Sequence, residues 1–164
     1  MQVVYWQGLV DFGLEFSDRL LGLGVTAWSP LAGGVLTGKY VEGKAEADAR
    51  MNSEMMKGFD RADERARRVV NEVQAVARDV GRSPAQVALA WLRQRPVPII
   101  PIVGARRLEQ FRDNLACLDL QLNTSQVERL DTASQIELGF PHDFYGRDLV
   151  KGLVYGGLRD RIDV

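Results

Sequence analysis

The sequence has one cysteine, Cys117, and one histidine, His142, in 164 residues. A lone cysteine excludes an internal disulfide, and on a helix it reads as a buried core thiol in a reducing compartment. One cysteine and one histidine cannot build the clustered ligand spacing of a metal site. Neither charge dominates: 21 Lys and Arg stand against 22 Asp and Glu, a net −1. Such a balance offers no bulk attraction to a polyanion. The arginines at 61–68 are interleaved with acids, which argues against a nucleic-acid-binding stripe. No apolar run approaches the roughly 20 residues of a membrane-spanning helix. The opening Met1-Gln2-Val3-Val4-Tyr5-Trp6 lacks the basic start of a secretory signal. Internal repeats and low-complexity stretches are missing too. These absences predict a soluble cytoplasmic protein that neither enters a membrane nor binds nucleic acid. With 46% hydrophobic residues, 1–164 reads as a single domain able to bury a core.

Local pattern supplies the elements. Met1 to Tyr5 is apolar and β-prone and reads as a buried strand. Leu9 to Leu23 reads as a helix, weakened by Gly13 and stopped by Gly24. Val25-Thr26-Ala27-Trp28 is a short strand ended by Ser29-Pro30, and a long glycine-containing loop runs from Leu31 to about Asp60. Asp60 to Val80 has an apolar stripe of Val69, Val70, Val73, Val76, Ala77 and Val80, the mark of an amphipathic helix. Ser83-Pro84-Ala85-Gln86 is a capping box with proline at the first helical position, opening a helix to about Gln94. Pro98 to Val103 reads as another buried strand, and Arg107 to Leu118 as a helix. Ser125-Gln126-Val127-Glu128 reads as a second capping box, opening a helix to about Ile136. Glu137 to Val164 reads as a surface loop with one short helix around Asp148 to Leu153. Strands alternating with helices predict a parallel α/β sheet or barrel. Three strands fall short of a closed eight-stranded barrel, which takes about 250 residues.

Two stretches carry the chemistry. Trp28-Ser29-Pro30-Leu31-Ala32-Gly33-Gly34-Val35-Leu36-Thr37-Gly38-Lys39-Tyr40 directly follows a strand, where parallel α/β folds place ligands. Its backbone amides, glycines and lysine suit phosphate oxygens, although a glycine loop often does no more than turn the chain. Pro101 to Asn114 passes from a strand through Gly104 into a helix. Gly104 permits close backbone approach, the helix N-terminus favours an anion, and Arg106 and Arg107 add charge beside it. Gln110, Asp113 and Asn114 recur on one helical face. They suit a sugar or base, or equally a solvated surface.

Together the stretches, about seventy residues apart and each behind a strand, resemble the aldo-keto reductase family, particularly its branch similar to potassium-channel β-subunits. The resemblance runs from about Leu21 to Ile136 and into the tail. It implies the C-terminal portion of a (β/α)8 TIM-type barrel: about three βα units, extra helices and a C-terminal loop. It also implies NADPH, or NADP, wrapped by the segments after the seventh and eighth strands. Trp28 would stack on the nicotinamide. Ser29, Leu31 and Gly33 would meet the pyrophosphate, with Pro30 shaping the turn and Lys39 adding charge. Arg50 matches an arginine near the adenosine phosphate. Gly104 and Arg106 would meet the 2′-phosphate side, and Gln110, Asp113 and Asn114 the adenine end, with Asp113 standing where the family usually has glutamate. Gln2 would match the glutamine that bonds the carboxamide.

The resemblance omits the family's catalytic Asp, Tyr, Lys and His, which come from the first half of the barrel, upstream of the strand that Met1 to Tyr5 would match. The segment from Trp6 to about Leu20 departs from the family pattern. The catalytic residues are therefore unknown. His142 as a new base, or the pair Asp11 and Glu15 serving hydrolysis, are alternatives on chemistry alone; two acids at helical spacing are more often a solvated face. Three functions follow: an NADPH-binding oxidoreductase lobe that reduces carbonyls when completed by a partner or by self-association; a non-catalytic nucleotide-binding or interaction module; and a half-barrel enzyme with new acid-base activity. Open strand edges predict a homo-oligomer or a partner chain.

Overall fold

The computed structural model describes residues 24–40, 64–135 and 141–158, with Gly139 and Arg161. In chain order, β1 (Val25–Trp28) leads into a 3₁₀ segment (Ala32–Thr37). Two helices follow, α1 (Glu64–Val80) and α2 (Pro84–Arg93), and then β2 (Ile99–Ile102). α3 (Leu108–Leu115) runs into a second 3₁₀ segment (Ala116–Asp119), followed by α4 (Thr124–Ser134), α5 (His142–Gly146) and α6 (Asp148–Tyr155). The predicted strand at Met1 to Tyr5 and the helix at Leu9 to Leu23 lie outside the described residues.

Every residue of α2 from Ala85 to Leu92 is buried, as expected of a helix apolar all round. It packs against α1, β2, α3 and both 3₁₀ segments. The side chains of Leu89, Leu92, Val70, Val76 and Val87 are fully enclosed, each contributing about 1.5–3 kcal/mol of hydrophobic stabilisation. Trp91 fixes α2 to α4: its indole N–H donates to Asp131 Oδ1 at 2.7 Å. The same oxygen lies 2.9 Å from Arg95 Nη1, and the Arg95 guanidinium sits 4.3 Å above the indole. From α1, Arg65 donates to the Ser134 carbonyl at 2.6 Å and Arg68 to the Ala133 carbonyl at 3.2 Å. Cations on terminal carbonyls suit the negative end of α4. Arg129 on α4 bridges back to Asp79 and Glu72 on α1, each at 2.7 Å. Those hydrogen bonds, Asp79 first, hold its guanidinium above the ordinary arginine range.

β1 and β2 pair in parallel, Val25 against Ile99 through Trp28 against Ile102. Val25, Ala27 and Ile99 face the helices. β2 departs from the fully buried strand predicted: Ile100 and Ile102 are 61% and 51% exposed, on the side they share with Thr26 and Trp28. The cap of α4 also differs. Asn123, not Ser125, is the N-cap; its side chain accepts from the Gln126 N–H at 2.9 Å, and Gln126 reaches back to the Asn123 N–H. Ser125 is already inside the first turn. The long loop after β1 opens with a 3₁₀ segment, and the tail holds two helices where one was expected. Cys117 is buried, as expected. Burial pushes its thiol above the usual range, partly offset by Arg93, which leaves little reactive thiolate near neutral pH.

Candidate functional site

Because the strands run parallel, their C-terminal ends emerge at one edge, and the two segments singled out in the sequence leave the sheet side by side. The first is tightly coiled. Ser29 and Ala32 take φ of 55° and 50°, a left-handed conformation that costs a non-glycine residue about 1–3 kcal/mol. Local bonds hold it there. Ser29 Oγ accepts from the Gly33 N–H at 3.1 Å, and the Ala32 N–H donates to the Ser29 carbonyl at 2.8 Å. Thr37 Oγ1 donates to the Gly34 carbonyl at 2.7 Å, and Tyr40 donates to the Gly33 carbonyl at 3.3 Å. Gly34 sits at φ 96°, where a side chain would be strained, and a Cβ there would also push on the flexible end of Lys39, 2.9 Å away at Cε. Its absence lets the lysine fold back over the loop, with Nζ 5.1 Å from the Tyr40 ring centroid.

The second segment rises from β2 through Gly104 into α3. Arg107 is the N-cap of α3, with no side-chain cap bond. The Arg106 N–H donates to Gln110 Oε1 at 3.2 Å. Arg106, just ahead of the positive end of the helix, also lines the cleft, and a cation with a helix start favours an anion.

Between the segments opens a cleft of about 790 Å³, within the range of about 300–1,000 Å³ common for ligand sites. The structure brings Trp28, Ser29, Pro30, Leu31, Gly33 and Lys39 to one wall, and Gly104, Arg106, Gln110, Asp113 and Asn114 to the other. Gln2 and Arg50 lie outside the described residues. Gly34, Thr37, Ala85, Ile102, Val103 and Ala105 also line the cleft, although the sequence reading did not select them. All but Ala85 fall inside the two chosen segments. Ala85 comes from the start of α2, and no local pattern marked it.

Trp28 is 55% exposed on its wall. Asn114 is only 7% exposed, and what shows of it lines the cleft. Asp113 is placed differently. Its Oδ1 accepts from Gln86 Nε2 at 2.7 Å, its Oδ2 from Ser83 Oγ at 2.8 Å, and its carbonyl from Gln86 Nε2 at 3.0 Å. Of the other groups considered, His142 is the first residue of α5, while Asp11 and Glu15 lie outside the described residues.

A sheet edge with this cleft defines the setting of a known family. The sequence pattern of the Aldo/keto reductase family matches residues 13–135, and the chain belongs to that family. The match begins earlier than Leu21, so part of the segment read as departing from the family falls within it. An uncharacterized oxidoreductase of Bacillus subtilis is 34% identical over 113 residues, 69% of this chain and 32% of its own. A probable voltage-gated potassium channel subunit beta of Oryza sativa subsp. japonica is 38% identical over 119 residues, 70% of this chain and 36% of its own. A putative aryl-alcohol dehydrogenase of Saccharomyces cerevisiae is 27% identical over 134 residues, 79% of this chain and 86% of its own. The chain thus spans about a third of the length of the first two relatives. No helix among the described residues is long and apolar enough to cross a membrane.

Proposed function

We propose that this chain forms the NADPH-binding part of a cytoplasmic aldo-keto reductase-type oxidoreductase, folded as the C-terminal portion of its (β/α) barrel. The observation that carries the reading is the cleft itself, which gathers Trp28, Ser29, Lys39, Gly104, Arg106 and Asn114 at the C-terminal ends of the two parallel strands. Trp28, exposed on one wall, offers a flat face for the nicotinamide. Ser29 Oγ already accepts the Gly33 N–H, so its own proton is directed to a further acceptor, such as the pyrophosphate. Lys39 adds charge on that wall, and Arg106 meets the 2′-phosphate with its planar donor fork. Gln2 and Arg50 complete the set by family resemblance.

NADPH supplies a hydride for a carbonyl carbon. The residues described here bind and orient; proton delivery in the family belongs to the Asp, Tyr, Lys and His of the first half of the barrel. Carbonyl reduction therefore needs those groups beside this cleft, from another segment, a second copy or a partner chain. The exposed sheet face of Thr26, Trp28, Ile100 and Ile102 supports such association. Sedimentation of the chain is expected to show a concentration-dependent mass; a monomer at every concentration would remove self-association.

Titration with NADPH, followed by quenching of tryptophan fluorescence, is expected to saturate. Arg106→Ala should weaken it by about tenfold or more, the worth of a charge-assisted contact. Titrations that do not saturate in the wild-type chain would reject the cofactor reading.

A further inference from the structure

We infer that Tyr40 is a positioning residue: the face of its ring holds Lys39 ready for the anion that the cleft takes up. This rests on the reading of the cleft as a dinucleotide site. Lys39 lines the cleft beside Gly33 and Gly34. Tyr40 stands behind that wall, half-buried against the hydrophobic core. Its hydroxyl donates to the Gly33 carbonyl at 3.3 Å, so the apolar body of the ring is anchored in the core and its polar tip in the loop. The Lys39 ammonium lies over the ring, with Nζ 5.1 Å from the centroid. At that range the negative face of an aromatic ring attracts a cation.

The backbone prepares this placement. Gly38, at φ 82°, closes the 3₁₀ segment, and its N–H donates to the Val35 carbonyl at 3.0 Å. It lies so close to α1 that a Cβ there would run into Gln74 Nε2. Lys39 therefore leaves a turn that is seated on a helix. Its side chain is long and flexible, and settling on a phosphate from free solution would cost it that freedom. A lysine already laid over a ring has given up part of the freedom before a ligand arrives, so less is lost on binding. The ring engages one side of the ammonium, and the donors on its other side remain for an anion.

The test is titration with NADPH, followed by tryptophan fluorescence, on the wild type and on variants at both positions. Tyr40→Phe keeps the ring and is expected to bind within about twofold of the wild type. Fluorinating that phenyl ring keeps its outline but drains the negative charge from its face. The fluorinated ring and Tyr40→Leu are each expected to weaken binding about two- to fivefold, the worth of one cation–π contact. Lys39→Met should weaken it by about tenfold or more. In that background all the Tyr40 variants are expected to bind alike, because they act through the ammonium. Variants that weaken binding equally with and without Lys39 would make Tyr40 a prop for the loop alone and overturn the inference. Unchanged or tighter binding without the aromatic face would overturn it as well. Wild-type binding that is indifferent to Lys39→Met would remove the inference and leave the cofactor reading standing. If the wild type does not bind NADPH, the cofactor reading falls and takes the inference with it. The fluorinated ring keeps the comparison decisive if Tyr40→Leu does not fold.

Discussion

Trp91→Ala is expected to remove about 3–5 kcal/mol of stability, out of a total of about 5–15 kcal/mol for a domain. The indole is 5% exposed and lies at the junction of α1, α2 and α4. It already borders an apolar cavity of about 20 Å³ with Val73, Leu92 and Leu130; deleting the ring would enlarge that void rather than let the helices collapse. The polar side of the ring adds to the loss. Asp131 would forfeit its indole donor, and Arg95, with its side chain 10% exposed, would forfeit the surface it stacks on. Thermal unfolding followed by circular dichroism should show a Tm lower by about 6–20 °C, at 2–4 °C per kcal/mol for a chain of this size. Trp91→Phe keeps most of the volume and loses one hydrogen bond, so about 1–2 kcal/mol should go. Equal melting of wild type and the alanine variant would show that the junction is not the centre of the core.

Asn114→Leu should weaken NADPH binding while leaving the chain folded. Asn114 lines the cleft, and leucine keeps the branched outline of its side chain without the polar groups. The group proposed to meet the base is removed by the same change, so NADPH affinity should fall by about tenfold or more. If the variant binds NADPH as well as the wild type does, Asn114 has no part in recognition.

The sequence made the walls of the cleft legible because each wall is local. Glycines, a strand end and a helix start within a dozen or so residues suffice to mark a segment where backbone and ligand meet. The same holds for α2, whose Ser83-to-Gln86 box and Pro84 announce its start. α4 shows the limit of such signals. Asn123-to-Gln126 and Ser125-to-Glu128 both satisfy the pattern, and the helix takes the earlier one, with asparagine at least as good a cap as serine. Burial in β2 was misread for a different reason. A continuous apolar run such as Ile99 to Ile102 does not say whether one face or both are covered, and here a single face is. Least legible was Asp113. Its partners Ser83 and Gln86 sit on another helix, and nothing in the spacing of α3 distinguishes an aspartate aimed at a neighbouring cap from one aimed at a ligand. The left-handed Ser29 and Ala32 were equally hidden, since neither residue type advertises a positive φ.

The pairing of Trp28 with Ile102 closes a loop of about seventy residues. Helices such as α1 and α2 draw on near neighbours and can form early in folding, whereas this closure must wait for distant chain to meet. Both mouths of the cleft hang from the two strands it joins. Recognition is therefore among the last properties the chain acquires as it folds, and a nucleotide that spans both walls can reward the finished fold without guiding either half toward it.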